Sequence, residues 1–256
     1  MKKTDIEVEI YNDSEALSKA AADLFVEQSQ FAVQNRGFFS VVLSGGNTPQ
    51  RMYELLAQKP LVGQVPWEKT HVFWGDERCV PKDDPRHNAL NAYKLLLDRV
   101  PIPSSQIHPI YYEGTPKQTA EQYELMLHEF FKDGEVSFDL MLLGLGNDGH
   151  TASLFPGTPV LDERTRWVSE VTVPSQEFSR ITLTIPLLER SLLTVFMVEG
   201  EEKAGVLKTV LEEPADPVTY PAQLIVPING ELIWMVDRSA AKLLAEPKPK
   251  KPWLEG

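Results

Sequence analysis

The sequence predicts an α/β fold: a mainly parallel, Rossmann-like sheet flanked by helices, with a few additional short strands that include candidates for antiparallel pairing. The chain has 256 residues and an apolar fraction of 42%, enough for a sizeable core. Five short runs are apolar on consecutive positions, which is typical of strands buried on both faces of a parallel sheet. Helical stretches alternate with these runs, as in α/β proteins. The runs are Phe38 to Leu43, His71 to Trp74, Phe138 to Leu143, Thr194 to Val198 and Leu232 to Val236.

The first predicted helix follows Asp13 or Ser14, either of which can cap it, and ends before Gly37. Residues 167–184 alternate between apolar and polar side chains, and this alternation predicts shorter, antiparallel strands. Further helices are predicted over 49–57 (N-cap Thr48), 89–100 (N-cap Asn88), 118–132, 201–211 and 239–244.

No internal repeat or long linker divides the chain, so we predict one domain over residues 1–246. Residues 247–256 are rich in proline and lysine and are predicted to form a loose tail. The alternative is that Trp253 and Leu254 dock on the body of the protein or on a partner subunit.

The formal net charge is −12, which argues against binding to duplex nucleic acid or to an anionic membrane surface. A few local cations can still bind a small anion, because charges are screened over roughly 8–10 Å. No apolar stretch has the length of a membrane span or of a signal peptide, so a cytoplasmic location is expected. The single cysteine, Cys79, is interpreted as a buried spectator, with a reactive thiol as the alternative.

Ligands of open parallel sheets bind beyond the carboxyl ends of the strands, so the residues after each run are the candidate site. The first run is followed by Ser44, Gly45 and Gly46, which permit a tight loop and a close approach of the backbone to a ligand. A helix begins directly afterwards, and exposed N–H groups at a helix N-terminus bind anions. The loop therefore predicts a phosphate site or, alternatively, only a strand-to-helix turn.

The second run is followed by Asp76, Glu77 and Arg78. The guanidinium of Arg78 suits a phosphate or a polarised carbonyl oxygen. The alternative is a solvated ion pair on a loop.

The segment from Gly144 to Gly157 follows the third run and carries the clearest chemical signal. Glycines surround Asp148 and His150, which lie two residues apart. An imidazole at this edge of the sheet suits a general base, and Asp148 can orient it or bind a substrate hydroxyl. A metal site is the alternative, but this pair supplies too few ligands.

Two further cations are candidates for anion binding. Arg180 precedes a short apolar strand, and Lys203 falls in the first turn of a predicted helix, where its charge opposes the helix dipole. A bound anion would offset that cost, whereas simple surface charge is the alternative for both residues.

Together these segments resemble the 6-phosphogluconolactonase family. The matching pieces lie in the family's order and span about residues 38–210. They are Ser44-Gly45-Gly46 with Thr48-Pro49, Asp76-Glu77-Arg78 with Val80-Pro81, Asn88, the segment Gly144 to Pro156, Arg180-Ile181-Thr182, and Gly200 with Lys203. Asn47, Cys79 and His87 differ from the residues that are common in the family at these positions. These differences affect the expected shape of the pocket rather than the reaction.

The resemblance implies a fold like that of glucosamine-6-phosphate deaminases and ribose-5-phosphate isomerases, hydrolysis of 6-phosphogluconolactone in the oxidative pentose phosphate pathway, and no metal or organic cofactor. The expected partner is the phosphorylated sugar lactone alone, bound by a monomer or a homodimer. In this interpretation His150 is the general base, Asp148 supports it, and Arg78 serves either the oxyanion or the phosphate. The substrate-binding residues are Ser44, Gly45, Gly46, Asp76, Asn88, Arg180 and Lys203.

Two rival functions remain at this point. A sugar-phosphate deaminase or isomerase would share the fold, but the deaminases typically carry Asp-Glu-Tyr where this chain has Asp76-Glu77-Arg78. A non-catalytic sugar-phosphate sensor could keep the anion site, but it would not need both Asp148 and His150.

Overall fold

The computed structural model describes residues 7–132, 134, 137–174 and 176–245. The predicted tail, 247–256, lies outside the described residues, as do both of its docking candidates, Trp253 and Leu254. The prediction of one domain over 1–246 stays a prediction.

Within the described residues the strands form two sheets, which confirms the predicted fold class. A seven-stranded sheet has the order β1-β10-β9-β6-β2-β3-β5, and every neighbouring pair in it is parallel. A three-stranded antiparallel sheet has the order β4-β8-β7 and contains the strands predicted from the alternation in 167–184. The strands are β1 (Glu7–Tyr11), β2 (Phe39–Leu43), β3 (Thr70–Trp74), β4 (Asp76–Arg78), β5 (Ile107–His108), β6 (Leu140–Gly144), β7 (Val168–Val171), β8 (Arg180–Leu183), β9 (Leu193–Val198) and β10 (Glu231–Asp237).

Helices connect the strands and cover the sheets. The first is fixed at both ends as predicted, because the Asp13 carboxylate accepts a hydrogen bond from the N–H of Ala16 at 2.8 Å and Gly37 adopts a left-handed conformation. The α-helices are α1 (Ser14–Arg36), α2 (Gln50–Leu56), α3 (Asn88–Leu95), α4 (Pro116–Phe131), α5 (Ile185–Leu188) and α6 (Ala204–Glu212). Short 3₁₀ helices span Leu61–Gly63, Trp67–Lys69, Leu97–Arg99, Ser104–Gln106, Pro159–Asp162, Glu201–Lys203, Pro221–Leu224 and Ala240–Leu243.

The core lies on both faces of the large sheet. Every residue of β2 and β9 is buried, as consecutive apolar positions predict for central parallel strands. On one side Phe25 of α1 meets Phe39 edge to face at 5.3 Å, while Phe196 and Trp234 stack at 3.9 Å between neighbouring strands. This packing holds the carboxyl ends of the central strands in place.

Some predicted elements differ from the structure. The helix predicted over 89–100 ends at Leu95, because Leu96 leaves the helical conformation, and a 3₁₀ turn follows over Leu97–Arg99. The helix predicted over 201–211 starts with a 3₁₀ turn and becomes α-helical only at Ala204, and the one predicted over 239–244 is a 3₁₀ turn. The edge strands β1 and β5 were not predicted, since β1 carries glutamates and β5 has two residues. Among the described residues, no helix combines the length and the hydropathy needed to cross a membrane.

A pair of histidines at the β5 edge predicts acid sensitivity of the fold. His108 stacks on Phe73 and lies 3.1 Å from His71 between ring nitrogens, and burial, with the charge of His71, lowers the pKa of His108 to about 4. An unfolded histidine has a pKa of about 6.5. The unfolded chain therefore binds more protons between those two values, and stability falls as the pH drops through this window. We expect the urea midpoint to fall less between pH 7 and pH 5 in His108→Gln than in the unchanged protein; equal falls would contradict this account.

Candidate active site

A cavity of about 410 Å³ opens at the carboxyl edge of the large sheet. It lies where β2, β3, β6 and β9 end, as expected for a ligand site of an open parallel sheet. The structure brings the sequence-predicted residues together here, with the exception of Asp148, which contacts the ring of His150 beside the cavity. The predicted residues that line it are Ser44, Gly45, Gly46, Asp76, Arg78, Asn88, His150, Arg180 and Lys203.

The loop after β2 forms one wall of the cavity. The hydroxyl of Tyr53 fixes its start, donating to the carbonyl of Ser44 at 2.8 Å and accepting from its N–H at 3.2 Å. Gly46 has a φ of 86°, which a residue with a side chain rarely adopts. The prediction of Thr48 as N-cap is wrong: α2 begins one residue later, after Pro49, and the Thr48 side chain is hydrogen-bonded to Glu199 instead.

Asn88 stands against this loop. A Cβ atom on Gly45 would lie 1.9 Å from Oδ1 of Asn88, so a side chain at position 45 would displace that of Asn88. The Asn88 amide donates to the carbonyl of Asp76 at 2.9 Å and accepts from Nη1 of Arg78. The prediction that Asn88 caps α3 is wrong, because His87 is the N-cap residue and the capping oxygens come from Glu77.

For Asp76, Glu77 and Arg78 the alternative of a solvated ion pair on a loop is wrong. They form β4, which pairs antiparallel with β8 and places Arg78 opposite Arg180. The Asp76 carboxylate accepts from the Ser153 hydroxyl at 2.6 Å and lies 3.6 Å from Nη1 of Arg180. Arg78 is also held by a hydrogen bond to the carbonyl of Arg86 at 3.0 Å. Both guanidiniums thus reach the cavity from one small sheet.

His150 and Asp148 form a close pair at the end of β6. Nδ1 of His150 lies 2.5 Å from Oδ1 of Asp148, and the N–H of His150 donates to the same oxygen at 3.2 Å. Burial works to raise the pKa of Asp148, but the hydrogen bond and the charge of the His150 ring outweigh it and hold that pKa below its ordinary value. Asp148 is therefore ionised at neutral pH and accepts the Nδ1 proton, which leaves the lone pair of the neutral ring on Nε2.

This pair depends on the absence of a side chain at position 146. A Cβ atom on Gly146 would lie 2.0 Å from Nδ1 of His150 and 2.7 Å from Oδ1 of Asp148. We expect Gly146→Ala to displace the imidazole. If the protein hydrolyses the lactone that the family resemblance implies, kcat for that reaction should fall about 100-fold, since misplacement of a reacting group by about 1 Å costs that much. Steady-state kinetics checks this, with Gly63→Ala, which meets no atom within 4 Å, as the control. An unaltered kcat in Gly146→Ala would contradict the geometry.

A segment that the sequence did not single out supports the same loop from behind. The N–H of Ala222 donates to the carbonyl of Gly149 at 2.9 Å, and the N–H of Gly157 donates to the carbonyl of Val218 at 3.1 Å. The ring of Tyr220 packs against Gly149, where a Cβ atom would come within 2.7 Å of it. Residues 218–222 therefore hold the His150 loop at Gly149, next to His150, and at its far end, Gly157.

Two more cations face the cavity. Nε of Arg180 donates to Gln176 at 2.9 Å, and its guanidinium lies 5.2 Å from the centre of the Phe155 ring. Lys203 ends the 3₁₀ turn before α6, and its Nζ donates to Oδ1 of Asn147 at 2.6 Å. Burial lowers the pKa of Arg180 and of Lys203, so a bound anion would relieve the cost of holding these charges away from water.

Two carboxylates of the cavity were missed by the sequence analysis. Glu199 and Glu202 line it beside Lys203, and burial raises the pKa of Glu199. Their position directly after the buried run of β9 was the available signal.

Away from the cavity, burial, with the charge of Glu77, raises the pKa of the half-buried Cys79 to about 11, which supports its interpretation as a spectator. Within the described part of the chain, no three His, Cys, Asp or Glu side chains are grouped so that they could hold a metal ion.

A parallel α/β sheet whose carboxyl edge carries a cavity lined by an imidazole and by arginine and lysine side chains defines a Rossmann-like enzyme for a small anionic substrate. Residues 12–234 match the family described as glucosamine-6-phosphate isomerases/6-phosphogluconolactonase. The chain belongs to this family.

Individual relatives extend the similarity over nearly the whole chain. A 6-phosphogluconolactonase of Synechocystis sp. is 46% identical over 217 residues, which are 83% of this chain and 88% of the relative. A 6-phosphogluconolactonase of Nostoc sp. is 40% identical over 250 residues, covering 96% of this chain and all of the relative. The solved 6-phosphogluconolactonase of Trypanosoma brucei superposes with a TM-score of 0.83 at 26% identity, covering 95% of this chain and 100% of that one.

Proposed function

We propose that this protein is a 6-phosphogluconolactonase, a carboxylic ester hydrolase that converts 6-phospho-D-glucono-1,5-lactone to 6-phospho-D-gluconate in the oxidative pentose phosphate pathway. The observation that carries the proposal is the convergence of the Asp148–His150 pair, Arg180 and Lys203 on one cavity, in a chain 46% identical to a protein of that name. The cations suit the phosphate of this substrate, and the imidazole suits attack by water on its ester carbonyl.

In the proposed mechanism water attacks C1 of the lactone, and Nε2 of His150 accepts the proton that the water loses. Such general-base catalysis contributes about 10²–10⁴-fold. Asp148 holds the ring through Nδ1 and stabilises the imidazolium that forms. The proton passes from His150 to the departing ring oxygen, so the histidine returns to its neutral form and the products are a free hydroxyl and a carboxylic acid. The acid then loses its proton to solvent and becomes the carboxylate.

The phosphate is held by the loop Ser44–Gly46, by Arg180 and by Lys203. These groups belong to three separate parts of the chain and line the same cavity as His150. Phosphate binding remote from C1 fixes the ring for attack, which is catalysis by positioning.

Arg78 is our candidate for stabilising the oxyanion at C1, and service to the phosphate is the alternative. Removing one oxyanion donor costs about 10²–10³ in rate. Asp76 and Asn88 complete the substrate-binding wall. The Asn88 amide is already engaged by Asp76 and Arg78, so its contribution to the substrate is through the shape of the wall.

The alternative function is glucosamine-6-phosphate deaminase or a related sugar-phosphate isomerase, and the family description also names glucosamine-6-phosphate isomerases. Arg78 favours the lactonase, because the deaminases typically carry tyrosine there. A sensor without activity has no use for the Asp148–His150 pair.

The proposed reaction needs no cofactor, and we place the enzyme in the cytoplasm as a monomer or a homodimer.

The decisive assay measures the decay of 6-phosphogluconolactone with and without the protein, coupled to oxidation of 6-phosphogluconate. The lactone also hydrolyses spontaneously, so the uncatalysed rate is subtracted. We expect acceleration proportional to protein concentration and no ammonia from glucosamine 6-phosphate. Ammonia release without acceleration of lactone decay would replace our proposal with the deaminase.

A further inference from the structure

We propose that Glu77 is a positioning residue, which holds Asn88 and Arg78 in the wall of the cavity without touching the substrate. The proposal rests on the lactonase function proposed above, in which Arg78 contacts the substrate. Glu77 is 1% exposed and is absent from the lining of the cavity, although both of its neighbours in β4 line it.

The Glu77 carboxylate accepts hydrogen bonds from three backbone N–H groups and has the ring of His87 beside it. Oε1 accepts from the N–H of Arg78 at 2.9 Å and from the N–H of Asn88 at 2.7 Å. Oε2 accepts from the N–H of Ala89 at 2.9 Å and lies 2.9 Å from Nδ1 of His87. One side chain thereby ties β4 to the first turn of α3.

This link fixes the orientation of Asn88 rather than only the start of a helix. The N-cap residue His87 makes no side-chain capping bond, so the carboxylate supplies the acceptors for the first turn, where negative charge is favoured. Asn88, pinned by its N–H, then accepts from Nη1 of Arg78 and packs against Gly45. Movement of α3 by a fraction of an ångström would therefore change Arg78 and the Ser44–Gly46 loop together.

Glu77→Gln tests this role with little change of shape. Glutamine has one acceptor oxygen, and its amide group cannot accept from the N–H groups on the other side. We expect kcat/KM for the lactone to fall about tenfold or more, because reacting groups lose their alignment.

Asp139→Asn is the matched control for loss of a buried carboxylate. Asp139 is 4% exposed and accepts from the N–H and the hydroxyl of Ser40 at 2.8 and 2.9 Å, near the amino end of β2 and away from the cavity. We expect this variant to be destabilised yet to keep its kcat/KM when folded. An equal loss of kcat/KM in both variants, or none in Glu77→Gln, would overturn the proposal.

A double-mutant cycle with Asn88→Ala separates positioning from general destabilisation. If Glu77 acts in part through Asn88, the double variant loses less activity than the product of the two single losses. Losses that multiply would overturn the proposal. Glu77→Asp replaces Glu77→Gln in the cycle if the latter does not fold.

The crystal structure of the Glu77 variant gives a readout that does not depend on activity. Displacement of Arg78 and Asn88 supports the proposal even if the unchanged protein fails to hydrolyse the lactone, a result that would reject the proposed function alone. Unchanged positions of both side chains reject the positioning role.

Discussion

Replacement of His150 by alanine is expected to lower kcat for lactone hydrolysis by about 10²–10⁴-fold and to leave KM nearly unchanged. The imidazole in this account accepts a proton only as water attacks, so its loss affects the transition state far more than the bound substrate. Asp148→Asn is expected to lower kcat as well, because an amide can present its NH₂ group to Nδ1 and reverse the tautomer. Initial rates over a range of lactone concentrations, corrected for spontaneous hydrolysis, separate kcat from KM.

His71→Ala is the control for the loss of an imidazole. His71 is half-buried at the β5 edge of the sheet, pairs with His108 and does not line the cavity. The folded variant is expected to keep its kcat. Near-normal turnover in His150→Ala would remove His150 from the mechanism.

Replacement of Lys203 by alanine is expected to raise KM by about 10–100-fold with a smaller effect on kcat. A hydrogen bond to a charged group contributes about 1.5–3 kcal/mol, and the phosphate is bound equally in the ground state and the transition state. Burial already lowers the pKa of Lys203, so the protein holds this charge in the cavity at a cost. The same series of initial rates gives KM directly.

Lys242→Ala is the matched control for Lys203→Ala. Lys242 is an exposed lysine that lies outside the lining of the cavity. It pairs with Glu201, and Glu201 precedes Lys203 by two residues in the sequence. Its removal tests whether general surface charge attracts the substrate. If both variants had the KM of the unchanged protein, Lys203 would have no role in phosphate binding.

The parallel sheet could be predicted because its central strands are apolar on consecutive positions. Such short runs are typical of parallel strands that are buried on both faces. The edge strand β1 has no consecutive apolar run; its alternation of valine and isoleucine with glutamates was the available strand signal and was missed. Short 3₁₀ turns were predicted as α-helices at 239–244 because a few apolar residues at helical spacing do not distinguish the two.

The candidate site was predictable where glycines and chemically active side chains follow a buried strand, as at Gly144 to His150. A strand at Asp76, Glu77 and Arg78 could not be predicted, because its pairing partner, β8, lies about 100 residues later in the sequence. The role of Glu77 was hidden for the same reason: its acceptors serve backbone N–H groups 11 and 12 residues away, and spacing alone does not reveal such contacts. Glu199 and Glu202 were overlooked because a site for an anion is expected to contain positive side chains and not carboxylates.

The central claim is that the phosphate-binding cations and the His150 imidazole face one substrate molecule. A crystal structure of the complex with 6-phosphogluconate tests it most directly. We predict phosphate oxygens within about 3 Å of Lys203 Nζ and of the Arg180 guanidinium, with the C1 carboxylate next to Nε2 of His150. Product bound with its phosphate elsewhere, or with C1 turned away from His150, would contradict the account.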